Sequence, residues 1–134
     1  MNLPMALLLM GGLHVILLLF HGSYIAVAHG LRWGLGRRSE AIRKHDFDRR
    51  IERSIANNIE SLAAFLPICA VALYLNADGL IYDAAALVYV VARLGFVAVY
   101  LANIPYIRTA FWFLGQVAIM VLFVTSFTAL SGLG

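Results

Sequence analysis

Glu60 and Arg93 lie deep inside apolar runs of this chain and are the first residues whose types invite chemistry. A charge at mid-bilayer costs about 2.5–3.5 kcal/mol on insertion scales, so such residues usually face a bundle interior and mark a site. Arg53, Asn57 and Glu60 fall on one face of a helix, and Arg93 and Tyr100 share a face of another. Glu60 is about 10 Å along a helix from Arg53, and Arg93 about 18 Å from Pro105, at about 1.5 Å per residue. Two arrangements fit this spacing. Glu60 and Arg93 could neutralise each other as packing between helices. Alternatively, the two faces line a polar cavity with excess positive charge, suited to a polyanionic ligand whose carboxylates arginine forks would hold. A bare pair leaves Arg53, Asn57, Tyr100 and Arg108 at one level without an explanation.

The elements that must carry these residues are set by composition. The chain has 134 residues, 63% hydrophobic and 13% charged, with mean hydropathy +0.88. Soluble domains run near ~45–50% apolar and ~25% charged, and a small fold in water buries too little of its surface to hide the excess. One all-α domain in a lipid bilayer is the consistent reading. A bilayer core of about 30 Å needs about 20 apolar residues in a helix. Four segments qualify, at approximately 4–31, 54–76, 81–104 and 109–131, with a basic loop over 32–53. The run from Asp48 to Arg53 is rich in helix formers, so the second helix should begin below the membrane. Asn76-Ala77-Asp78-Gly79 reads as a turn, and Pro105 disfavours helical geometry at Ile104. Short connections give an antiparallel four-helix bundle.

Ala26-Val27-Ala28 resembles a signal-peptidase site. However, no basic side chain precedes the apolar run, which also exceeds the usual ~7–15 residues, so the segment reads as a retained helix. Eight of the ten basic residues lie between Arg32 and Arg53, with four acidic ones, a net of +4. The positive-inside rule then places that loop and the Arg108 connection in the cytosol and both termini on the non-cytoplasmic side. The same basic loop would touch anionic lipid.

Other signals are structural. His14, His21 and His29 lie on the first span, but no other span has a histidine. That argues against haem, which would need axial ligands from facing helices, and favours hydrogen bonds between helices or lipid contacts. Cys69 stands alone, so no disulfide forms within the chain and no metal site is built from thiolates; no metal is expected. Gly11, Gly12, Gly22 and Gly30 would let helices approach closely. Trp33, Tyr106 and Trp112 read as interfacial anchors. There is no phosphate-binding glycine loop, and no nucleic-acid partner is expected.

Two stretches carry a family resemblance. Arg50-Ile51-Glu52-Arg53-Ser54-Ile55-Ala56-Asn57-Asn58-Ile59-Glu60, followed by Phe65-Leu66-Pro67, resembles the arginine–asparagine–glutamate signature of the MAPEG family, the membrane-associated proteins in eicosanoid and glutathione metabolism. Arg93-Leu94-Gly95, Tyr100 and Ile104-Pro105-Tyr106-Ile107-Arg108-Thr109 are similar to its second signature. The resemblance implies a homotrimer of four-helix subunits with glutathione bound between neighbours. By position, Arg53, Asn57, Glu60, Arg93 and Tyr100 would be glutathione ligands. Arg32 would reach the tripeptide's carboxylates, and Arg108 would be the catalytic arginine that stabilises the thiolate. The implied activity is a transferase or peroxidase acting on a lipophilic acceptor from the bilayer. The sequence departs from some members at Ala56, Ser61 and Phe96, where they carry arginine, tyrosine, and tyrosine or histidine. Because one branch of the family binds lipid without catalysis, a lipid-binding or accessory subunit of a membrane complex is the alternative. A small proton-coupled exporter is disfavoured because the first span has no carboxylate.

Overall fold

The computed structural model describes residues 1–37 and 44–132. Positions 38–43 of the basic loop, and 133–134, lie outside the described residues. Helix α1 spans Leu3–Ala28, and the Asn2 side chain accepts the Met5 N–H at 3.1 Å as its cap. The sequence reading ran this span to residue 31. It stops earlier because Gly30 adopts φ 92°, a conformation open to glycine, and turns the chain into the short α2, Leu31–Leu35. Helix α2 folds back on α1 so closely that a Cβ at Gly34 would stand 2.7 Å from the Ala26 Cα.

Helix α3, Asp46–Tyr74, starts well ahead of its apolar span, as the helix formers from Asp48 to Arg53 suggested. His45 caps it: its ring accepts the N–H of Asp48, and the Asp48 carboxylate accepts the His45 N–H at 2.6 Å. This reciprocal cap satisfies two donors that a helix start otherwise leaves open. The expected turn follows, with Asn76 at φ 51° and Gly79 at φ 109°. Helix α4 spans Leu80–Leu101 and α5 spans Pro105–Ser131. The last helix opens four residues before the apolar run at 109, because a proline fits the first helical position and lacks only a donor that has no partner there.

Met10 of α1, Phe65, Cys69 and Ala72 of α3, Ala86 and Tyr89 of α4 and Leu122 of α5 form the buried centre. The Phe65 and Tyr89 rings stack with centroids 3.9 Å apart. A second cluster, Leu17, Ile51, Ile55 and Val97, lies nearer the basic end. Close approach falls at Gly95 of α4, where a Cβ would stand 2.3 Å from the Phe111 ring of α5. Gly11, Gly12 and Gly22, also expected to serve this purpose, meet no other helix within the described chain. Leu8, Ile16 and Leu19 of α1 and Phe113, Val117 and Phe127 of α5 are exposed. An apolar exterior over four helices long enough to cross a bilayer makes this an integral, multi-pass membrane protein.

Candidate functional site: a polar cleft at the basic end of the bundle

Arg93 is the largest fully buried side chain, 1% exposed, in the middle of α4. Its Nη1 donates to Asn57 Oδ1 of α3 at 3.0 Å, and its guanidinium lies 4.8 Å from the Phe96 ring centroid. Gly115 of α5 packs against its stem: a Cβ there would stand 3.7 Å from the Arg93 Cδ, an ordinary van der Waals contact. Nε and Nη2 have no hydrogen-bond partner among the described residues. Engaging Oδ1 has a chemical consequence. The Asn57 amide must turn its NH2 away from Arg93, as a donor.

Phe96 begins a column of aromatic and cationic groups in contact, with its ring tilted 47° to that of Tyr100. Its ring lies 5.3 Å from that of Tyr100, and the Arg108 guanidinium of α5 sits 4.7 Å from the Tyr100 centroid. The column therefore runs from one arginine through two aromatic rings to another. Each cation–π contact is worth about 0.5–2 kcal/mol, more where water is excluded. The spacing of Arg93, Phe96 and Tyr100 puts all three on one stripe of α4, so the helix itself sets this order.

Two clefts meet at the outer end of the column. The first, about 360 Å³, is lined by Asp46, Arg49, Arg50, Arg53, Tyr100, Asn103 and Arg108. The second, about 240 Å³, is lined by Asn57, Phe96, Tyr100, Arg108, Thr109 and Trp112. Tyr100 and Arg108 border both. Arg53, Asn57, Tyr100 and Arg108 are thus brought together, with Arg93 behind Asn57. Two other residues expected at the site stand apart. Glu60 is exposed on the outer face of α3 and lines neither cleft, and Arg32 is exposed on α2. The Glu60–Arg93 pair weighed from the sequence does not form; Arg93 points inward at Asn57 while Glu60 points out. Sequence reasoning overlooked Asp46, Arg49, Arg50, Asn103 and Thr109. Arg49 and Arg50 carried a signal, because they precede Arg53 by four and three residues, one helical turn towards the loop.

The N-terminal turns of α3, which carry the cleft's arginines, are pinned to α1. His29 Nε2 lies 2.9 Å from Asp48 Oδ2, His21 Nε2 lies 4.0 Å from Glu52, and His14 Nδ1 lies 3.4 Å from Asn58 Nδ2. The histidines of α1 are thus partners for α3, the role favoured over haem. Among the described residues no cluster could hold a metal ion. Burial of Asp48 by itself would raise its pKa. The His45 N–H, the His29 ring and the nearby charges of His29 and His45 outweigh this and hold the carboxyl below its usual range.

The fold and cleft define a class, a four-span membrane bundle with an arginine-lined polar site at one end. The MAPEG family pattern matches residues 6–128, and the chain belongs to that family. No curated protein and no solved structure matches it.

The Asp48 anchor has a pH signature. A carboxylate with a lowered native pKa adds stability above its unfolded pKa of about 4, and loses it as pH falls through the native value. Thermal unfolding in detergent should show the wild type losing stability on acidification. Asp48→Asn should be less stable at neutral pH and show a flatter acid limb. Parallel pH profiles would contradict the anchor.

Proposed function

We propose that this protein is a membrane-bound, glutathione-dependent transferase or peroxidase acting on lipophilic electrophiles or hydroperoxides. The observation that carries the reading is the convergence of Arg53, Asn57, Tyr100 and Arg108 on joined clefts at the basic end of the bundle. Glutathione has two carboxylates, an ammonium group and a thiol. Guanidinium forks match carboxylates in geometry and charge, and the outward NH2 of Asn57 can donate to a peptide carbonyl or carboxylate. MAPEG membership fits a glutathione-related role in a membrane.

Arg108 does the activating work. A thiol with an ordinary pKa near ~8.5 is mostly protonated at neutral pH, whereas the thiolate is the nucleophile. A guanidinium does not deprotonate in a protein, so it lowers the thiol pKa by charge alone and takes no proton. The proton leaves to water at the open mouth. Stacking on Tyr100 fixes the guanidinium, leaving its N–H edge to the ligand. The thiolate sulfur then bonds to an electrophilic carbon as the leaving group departs. With a hydroperoxide, it attacks the distal oxygen, the O–O bond breaks, and a second thiol completes reduction to alcohol, water and glutathione disulfide. The second cleft, with Phe96 and Trp112 among its walls, suits an acceptor arriving from the bilayer side.

The assembly belongs to this reading. An exposed Glu60 on a span is costly beside acyl chains. Exposed alanines at 56, 63 and 64 flank it, small enough for another helix to pack closely. A homotrimer would cover this face and bring Glu60 to a neighbour's cleft. The basic end faces the cytosol, with both termini on the other side.

Purified protein given glutathione should show thiolate ultraviolet absorbance and conjugate an aryl halide or reduce a lipid hydroperoxide. Arg108→Ala should abolish the absorbance and lower turnover by about 100-fold or more, on the scale of losing a charge stabiliser, while glutathione still binds. Glutathione binding without turnover on any acceptor would favour an accessory or lipid-binding subunit; no binding would overturn the reading. For orientation, Cys69→Ala carrying a single cysteine at Asp78 should react with an impermeant maleimide on intact cells. One carrying it at Arg37 should react only after permeabilisation, and the reverse pattern would contradict the topology.

A further inference from the structure

Helix α2 is the element that the glutathione reading leaves without a task, and its faces divide sharply. Gly34 is buried against Ala26 of α1, and the Trp33 ring lies 5.9 Å from the His29 ring. His29 is in turn bonded to Asp48 at the start of α3, so the short helix is held on two sides. Leu31 and Leu35 are one turn apart, 64% and 80% exposed, and point the other way, with Arg32 exposed beside them.

The depth of this face follows from α1. Its 26 residues rise about 39 Å at about 1.5 Å per residue. That exceeds a hydrocarbon core of about 30 Å and falls just short of the roughly 40–45 Å that includes the headgroups. The last turn of α1 therefore lies in the headgroup layer. Gly34, beside Ala26, holds α2 at that same level instead of out in water. Val27 of α1 is also exposed there. Leucines turned outward at this depth are buried in the boundary between headgroups and acyl chains, as on an interfacial helix.

Charge selects the lipid. The described carboxylates of the basic end are already engaged, Asp46 by Arg49, Asp48 by His29 and Glu52 by Lys44. Arg32 and Arg37 are exposed, line neither cleft and have no ion pair among the described residues. In the orientation proposed above they meet the cytosolic leaflet, whose negative surface potential draws juxtamembrane arginines. A guanidinium at headgroup depth can hold a lipid phosphate with its fork of N–H donors.

We propose that α2 is an interfacial foot, its leucines seated in the cytosolic leaflet while Arg32 and Arg37 hold the headgroup of an anionic phospholipid. Arg32, which the family resemblance would send to glutathione, then serves the lipid. The proposal rests on the membrane setting and orientation of the bundle, not on the glutathione reading.

Fluorescence of the full-length protein reconstituted in vesicles tests it. Trp112→Phe leaves Trp33 as the one tryptophan, and acyl chains brominated near the glycerol end quench a tryptophan in contact with them. Trp33 should be quenched by such lipids. Brominated phosphatidylglycerol should be preferred over brominated phosphatidylcholine by about fivefold or more, the scale of one juxtamembrane arginine. Adding Arg32→Gln and Arg37→Gln should bring the two lipids within about twofold of each other. Arg53→Gln, the same charge change inside the cleft, should preserve the preference. Leu31→Ser with Leu35→Ser should reduce the quenching itself. Trp33 quenched by aqueous iodide and not by brominated lipid would overturn the foot. Equal quenching by the two lipids in the parent protein, or a preference that survives both arginine substitutions, would overturn the lipid site. If the double arginine variant keeps its lipid preference and loses glutathione affinity in calorimetry, the arginines belong to a glutathione site and the proposal fails.

Discussion

The bond from Arg93 to Asn57 is the constraint on which the rest of the site depends. A guanidinium has been taken out of water in the centre of an apolar bundle and given one hydrogen bond and one aromatic face. Removing a partner from a buried charge is far costlier than the pair is stabilising, so neighbouring positions are constrained. Asn57 must present its oxygen inward. Phe96 must keep its ring face beneath the guanidinium. The Asn57 NH2, left free of Arg93 as a donor on a cleft-lining residue, is a by-product of satisfying Arg93.

A division of labour between the two ends of the bundle follows. Towards the termini the helices meet through Phe65, Tyr89, Cys69 and Leu122, an apolar centre whose task is packing. Towards the basic loop, polar pairs join the smaller apolar cluster of Leu17, Ile51, Ile55 and Val97. The His29–Asp48 and His14–Asn58 pairs join α1 to α3, and the Arg93–Phe96–Tyr100–Arg108 column joins α4 to α5. In a lipid setting an unsatisfied polar group is costly, so these partnerships also fix helix register. The arginine wall of the cleft rests on that register, since Arg49, Arg50 and Arg53 project from the stretch of α3 that Asp48 anchors.

The spans were legible because bilayer thickness imposes a length and hydropathy that composition cannot conceal. The early start of α3 was legible in the helix formers before Arg53. The end of α1 was not, because one backbone angle at Gly30 decided it. At the site, the helical periods of Arg53–Asn57 and Arg93–Tyr100 pointed to the faces of α3 and α4 that stand beside the two clefts. The partner of Arg93 could not be read, since a charge pair with Glu60 and a hydrogen bond to Asn57 are equally compatible with spacing; helix rotation chooses between them. Small residues were misjudged for the same reason. Gly95 matters because of the Phe111 ring that stands opposite it, whereas Gly11, Gly12 and Gly22 have nothing of the described chain within 4 Å of a Cβ. Phe96, a departure from some relatives by type, lies between Arg93 and the Tyr100 ring on which Arg108 rests.

A structure of the protein with saturating glutathione tests the central claim most directly, that polar groups sunk in this bundle exist to grip a hydrophilic ligand at the basic end. The account expects tripeptide density in the joined clefts, its sulfur beside Arg108 and a carbonyl or carboxylate at the Asn57 NH2, with Arg93 still bonded to Asn57. Empty clefts at saturation, or glutathione held away from Asn57 and Arg108, would contradict it.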